Sequence, residues 1–139
     1  MSQEEFHGSC LCGAVKYEVG GELQRFYHCH CQRCRKATGT GHASNLLMKP
    51  ANISWTLGEE LVTCYKVPEA ERFRNCFCSH CGSPVPRFIK ELDMVVIPAG
   101  TLDSEPVIHP QARIFWESRA QWSCDSGDIP VFAEYYPGR

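Results

Sequence analysis

No apolar run in this chain approaches the roughly 18 residues that a membrane-spanning helix requires, so nothing points to a membrane partner. A basic surplus is also missing. Fourteen Lys and Arg against 16 Asp and Glu leave a formal net charge of −2. That balance argues against a general nucleic-acid binder, whose footprint is a basic face. The opening Met1-Ser2-Gln3-Glu4-Glu5 is acidic and carries neither the basic nor the apolar region of a secretory signal. A reducing, cytoplasmic compartment is therefore expected. No long stretch has helical periodicity, which removes helical bundles from consideration. There is no linker, no low-complexity tract and no repeat beyond a doubled cysteine pattern. With 139 residues, the chain is expected to be one domain over 1–139, large enough to bury a core without a metal as its sole support. No Ser-His-Asp or paired-carboxylate pattern is evident, so the sequence names no general base.

Cysteine is abundant, with ten in the chain. In a reducing compartment, clustered cysteines point to metal rather than to a disulfide framework. The densest stretch is Cys29-His30-Cys31-Gln32-Arg33-Cys34. Its Cys-x-Cys half suits extended backbone, where residues i and i+2 share a face. Its Cys-x-x-Cys half suits a turn that returns the third sulfur to the same point. Tetrahedral zinc takes four ligands, so three local sulfurs leave a position for a distant residue, water or substrate. A second set comprises Cys10 and Cys12, followed by Gly13, and Cys78 and Cys81, followed by Gly82. Together these four make a closed zinc site joining the first hairpin to the middle of the chain.

Three cysteines stay outside these sets. Cys64 lies in a β-like run and reads as a core residue. Cys124, in the tail, reads as a free thiol. Cys76 sits two residues before Cys78, shares its strand face and competes for a place among the ligands. The histidines read as non-ligands. His28 and His30 alternate with the sulfurs on an extended strand and face away from them. His42 is the histidine best placed to reach the three-sulfur site, His80 supports a knuckle turn, and His7 and His109 carry no local signal.

Strands are expected at 14–19, 25–31, 43–48, 53–57, 61–67, 72–78, 85–89, 94–99 and 114–116. Gly20-Gly21, Pro50 and Gly58 separate some of them, and a helical turn from Cys34 to Thr38 stops at Gly39. Gly100-Thr101-Leu102-Asp103 reads as a turn, and the tail from Trp122 reads as wrapping the surface. Many short strands with turn signals make an all-β sandwich or barrel-like domain.

The order Cys10-x-Cys12-Gly13, Cys29-His30-Cys31-x-x-Cys34-Arg35, Phe77-Cys78-x-x-Cys81-Gly82-Ser83 and Gly100-Thr101-Leu102-Asp103 resembles the glutathione-dependent formaldehyde-activating (GFA) family, grouped with the CENP-V proteins. The resemblance runs from about Gly8 to Trp122. It implies a β-tent fold, a single domain of short antiparallel strands with zinc-binding cysteine knuckles. It implies two zinc ions per chain: a structural one on Cys10, Cys12, Cys78 and Cys81, and a catalytic-type one on Cys29, Cys31 and Cys34 with an open position. It implies a zinc-dependent carbon–sulfur lyase-type enzyme, like S-hydroxymethylglutathione synthase, acting on glutathione–formaldehyde adducts. A small thiol such as glutathione is the expected partner, and a homo-oligomer is compatible with this reading. The alternatives are a non-catalytic zinc-stabilised binding module and a thiol or aldehyde sensor. Arg33, Arg35, Lys36, Arg113 and Arg119 are the cations available to an anionic thiol. The chain departs from the family pattern at Arg113, where a histidine is common, and at Gln121 before Trp122, a region that bears on substrate choice.

Overall fold

The computed structural model describes residues 3–123 and 129–138, with backbone alone at positions 50 and 51. Cys124 lies outside them. Eight strands dominate: β1 (Gln3–Ser9), β2 (Lys16–Cys29), β3 (Ala43–Leu57), β4 (Val62–Lys66), β5 (Arg74–Cys78), β6 (Arg87–Ile89), β7 (Met94–Pro98) and β8 (Ala112–Ile114). One short helix, α1 (Gln32–Thr38), stands among them, with 3-10 turns at chain reversals. The fold is all-β, as expected. A curled sheet runs β1-β2-β3-β7-β6, with β8 added parallel to β2, and β4-β5 form a separate pair.

Two expected breaks do not occur. Gly20-Gly21 and Pro50 lie inside single long strands, because β2 and β3 pair along almost their whole length. The interruptions appear instead as register shifts between Gly20 and Glu22 and between Leu23 and Arg25. Such shifts are β-bulges, which bend a strand and re-aim its side chains. Here they change which face is buried. Tyr17 and Val19 enter the core from the first half of β2, and Phe26 enters it from the second. The core therefore changes from odd to even residues, and Cys29 is left on the opposite face.

The core combines Phe6, Tyr17, Val19 and Phe26 with Leu46, Met48, Val95 and Ile97. β1 was not anticipated, although it alternates buried Phe6 and Gly8 with exposed Glu5 and His7. Gly8 lies directly under the Tyr17 ring, where a Cβ would collide with it. The Gly100–Asp103 segment clamps this edge. Tyr17 donates its hydroxyl to Thr101 Oγ1 at 2.6 Å, and Thr101 donates to the Pro98 carbonyl at 2.8 Å. Ser9 Oγ donates to Asp103 Oδ1 at 2.7 Å, and the Asp103 N–H donates to the His7 carbonyl. This anchors β1 immediately before Cys10.

Candidate metal centres and the cavity beside them

Cys10, Cys12, Cys78 and Cys81 converge, with all four sulfurs within 4.8 Å of one another. Two knuckles deliver them. In the first, Gly13 takes a φ of 80° and donates its N–H to the Cys10 carbonyl. In the second, Gly82 takes 76° and donates to the Cys78 carbonyl. A Cβ is disfavoured at both, so the glycines allow the chain to reverse around the sulfurs. The Val15 N–H donates to Cys10 Sγ at 3.2 Å, as suits a sulfur that carries negative charge. Zinc held by four thiolates at about 2.3 Å sets their sulfurs about 3.8 Å apart. The separations here are 3.7 Å for Cys10–Cys12 and 4.0 Å for Cys12–Cys78. The set fits an ion of that size. It sits against a small core of Val15, Cys76 and Val85 with Trp55 and Leu61 alongside.

The second set, Cys29, Cys31 and Cys34, has its sulfurs equally close. Cys29 ends β2, Cys31 caps α1 and Cys34 lies within it. Cys31 accepts the Cys34 N–H at 3.3 Å, so the turn holds both sulfurs together. α1 ends at Gly39 as expected. Among the described residues, no fourth His, Cys, Asp or Glu joins this group within the same distance.

Charge is unevenly shared within each set. The Cys34 thiol holds Cys29 down to about 6, outweighing burial, with Arg87 adding a smaller pull in the same direction. Cys34 itself is pushed up, first by its bond to Cys29 and then by burial. In the four-sulfur set, the Ser83 N–H draws Cys81 down to about 6. Against the opposing bond from the Ala14 backbone, burial and its three thiol neighbours push Cys12 up to about 11. Sulfurs this close cannot all ionise without a cation among them.

Cys64 and Cys76 correct two expectations. They face each other across β4 and β5 and form a disulfide. Cys64 is exposed rather than part of the core, and Cys76, tied to it, joins neither sulfur set. Register placed them together, a pairing that local sequence does not reveal.

The histidines also group. His28 and His42 pack with ring centroids 4.0 Å apart and planes tilted by 40°, and His42 lies 5.1 Å from His30. His28 Nδ1 bonds Ser44 Oγ at 3.0 Å on the face away from Cys29. Burial, then the charges of His42, Arg113 and His30, holds His28 down to about 4, so it is neutral at pH 7. His42, the histidine expected to be best placed to close the three-sulfur site, packs in this histidine group and does not join the three sulfurs.

The three sulfurs form part of the wall of a cavity of about 560 Å³. The opposite face of the sheet builds it, through Tyr27 of β2, Leu47 of β3, Val96 of β7 and Ile89 of β6, with Phe73 and Ile114 at its sides. The sequence reading missed Arg87, which is half-buried in this wall with its guanidinium 5.3 Å from the Phe73 ring centroid. Its placement depends on the pairing of β6 with β7. Of the cations named from sequence, Arg33 lines this cavity. Arg35 is committed to the Ser118 carbonyl at 3.0 Å. Lys36 borders a neighbouring groove. Arg119 lies over Trp116 at 4.3 Å, and Arg113 lies beside His30 and Trp116.

Comparison with known proteins identifies the family and a similar fold. The family described as "Glutathione-dependent formaldehyde-activating enzyme" matches residues 5–118. A Halomonas elongata protein provisionally named as a glutathione-dependent formaldehyde-activating enzyme is 30% identical over 124 residues, covering 83% of this chain and 77% of that one. A crystal structure of a Rhodobacter sphaeroides protein superposes with a TM-score of 0.54 at 22% identity. That match covers 77% of this chain and 97% of the other, and it supports the fold. On the span of the family match and the identity to its Halomonas relative, the chain belongs to the glutathione-dependent formaldehyde-activating enzyme family.

Proposed function

We propose that this protein is a zinc-dependent carbon–sulfur lyase-type enzyme that interconverts glutathione and formaldehyde with S-hydroxymethylglutathione. The observation that carries the reading is the contrast between a four-sulfur set and a three-sulfur set facing a cavity. Cys10, Cys12, Cys78 and Cys81 would hold a structural zinc, and Cys29, Cys31 and Cys34 a second one. The second ion, when bound, would favour the thiolate form of a thiol substrate or polarise a carbonyl.

The chain's own residues supply the rest. Arg87 and Arg33 favour an anionic peptide such as glutathione near the cavity. Phe73, Leu47 and Ile114 limit water around the reacting atoms, which strengthens electrostatic interactions there. In the forward direction the thiol S–H bond and the carbonyl π bond break, while a C–S bond and an alcohol O–H bond form. The atoms of thiol and aldehyde are all retained in the adduct.

A cytoplasmic setting is part of the proposal, supported by seven unpaired cysteines among the described residues. The Cys64–Cys76 disulfide runs against that assignment, since cytosolic thiols are generally kept reduced. Nuclear magnetic resonance exchange between glutathione, ¹³C-formaldehyde and their adduct tests the activity. Zinc-loaded protein should accelerate exchange above the spontaneous rate, and Cys31→Ser should remove the acceleration. Unchanged exchange with two zinc ions bound would favour the binding-module alternative.

A further inference from the structure

The cavity beside Cys29, Cys31 and Cys34 is far larger than formaldehyde needs. At about 560 Å³ it falls in the range that holds drug-sized ligands, roughly 300–1,000 Å³. Formaldehyde has two heavy atoms, and even a water molecule's share of liquid volume is only about 30 Å³. Much of the enclosing surface is apolar, from Leu47, Ile89, Val96, Ile114 and Phe73. Among the described residues, no carboxylate lines it. Glutathione's carboxylates suit Arg33 and Arg87 at this cavity, but its ammonium finds no acid there and its amides meet mostly apolar walls.

A second cavity, about 370 Å³, lies across a shared wall of Cys34, Asn45, Phe73 and Arg87. Thr38, Thr40, Ser44, Asn75 and Thr101 line it, and the Thr38, Thr40 and Thr101 hydroxyls donate to backbone carbonyls, so what they offer a peptide's N–H groups is acceptor oxygens. Cys34 therefore borders an apolar chamber on one side and a hydroxyl-lined one on the other. The sheet explains the asymmetry. Residues 47, 89 and 96 share a face because β3 pairs with β7 at Leu47–Val96 and β6 joins the same edge through Arg87–Val96 and Ile89–Met94. These apolar residues point away from the main core, which Leu46, Val95 and Ile97 already fill from the other face. Their hydrophobicity is left facing the sulfurs.

We propose that the apolar chamber binds the carbon body of an alkyl or aryl aldehyde, making the preferred substrate a thiol adduct of an aldehyde much larger than formaldehyde. This deepens the proposed activity and rests on it, with the same bond changes at the carbonyl: one C–S bond and one O–H bond form as the S–H and carbonyl π bonds break. Glutathione, as the thiol, occupies the hydroxyl-lined side, with Arg87 between the two.

The test follows adduct exchange by nuclear magnetic resonance with full-length zinc-loaded protein, glutathione, and formaldehyde, butanal or hexanal in turn. Each methylene buried in the chamber should lower KM by about fourfold, so hexanal should bind at least tenfold better than formaldehyde. Leu47→Phe and, separately, Ile89→Phe should reduce that preference by a factor of ten or more. Zinc content and circular dichroism show that each variant is folded, and the second variant guards against failure of the first. Unreactive hexanamide gives a readout independent of turnover. It should shift the methyl resonances of Ile89 and Ile114, while acetamide should not. Formaldehyde turnover with no gain along the series would overturn the proposal and leave the glutathione–formaldehyde reading standing. No turnover of any aldehyde, with hexanamide still shifting those methyls, would overturn the enzymatic reading and support the chamber as an apolar-ligand site. Absence of any hexanamide shift would overturn the chamber assignment itself.

Discussion

The two cysteine sets use the same chemistry with different connectivity. Cys10 and Cys12 meet Cys78 and Cys81 across more than sixty intervening positions, at the meeting of the β1–β2 turn with the β4–β5 pair. Cys29, Cys31 and Cys34 come from one strand end and the helix beside it. The first set joins distant segments and supplies four sulfurs. The second joins nothing distant, supplies three and borders a cavity. On the proposed reading, ligand count and chain separation divide the roles, the first set holding the fold and the second serving the chemistry. Closed zinc sites contribute folding free energy, whereas catalytic ones keep a position open.

The largest expected effect comes from breaking the first set. Cys81→Ser should forfeit much of the roughly 10 kcal/mol that a structural zinc site can contribute. The protein should lose cooperative thermal unfolding, as read by calorimetry and circular dichroism. Cys31→Ser attacks the second set and should behave differently. One zinc should be lost by metal analysis while the β-sheet spectrum persists. The acceleration of adduct exchange should fall on the order of 100-fold or more, beyond the usual cost of altering a ligand's outer partners. Equal collapse of the two variants would erase the distinction.

Smaller effects sharpen the comparison by touching neither set. Burial, partly offset by the bond to Thr101, pushes Tyr17 up to about 12 from 10. Its neutral form is therefore favoured in the fold. That contribution is complete below pH 10 and lost as pH rises towards 12, amounting to about 3 kcal/mol. Denaturant midpoints should fall across this window, and Tyr17→Phe should flatten the fall. Cys64→Ser opens the disulfide to Cys76, which closes a loop with a sequence separation of 12. The expected cost is about 2–3 kcal/mol, with zinc content unchanged. Loss of zinc in that variant would show that Cys76 supports the first set directly.

Both sulfur sets were legible in the sequence because their signals are local: pairs at fixed spacing, each backed by a glycine or a helical turn. The long strands were not, because pairing between β2 and β3 overrides the turn signals of Gly20-Gly21 and Pro50. β1 carried an alternation that its charged outer residues obscured. Arg87 and the Cys64–Cys76 bond were beyond reach for the same reason: both depend on which strands become neighbours. The facing of Tyr27 and Cys29 into the cavity follows from the bulges in β2, whose effect exists only once the sheet is formed. The cavity's apolar lining, shared among β2, β3, β6, β7 and the segments beside them, leaves no motif in any one of these.

The central claim is that Cys29, Cys31 and Cys34 present a metal position open to a thiol, while the four-cysteine set does not. Zinc-edge X-ray absorption on protein carrying two zinc ions tests it most directly. Without thiol, sets of four and three sulfurs should average midway between three and four per zinc. Saturating glutathione should raise the average to four by adding its sulfur to the second set. An average of four before glutathione, unchanged after it, would mean that the second site is already closed and would contradict the account.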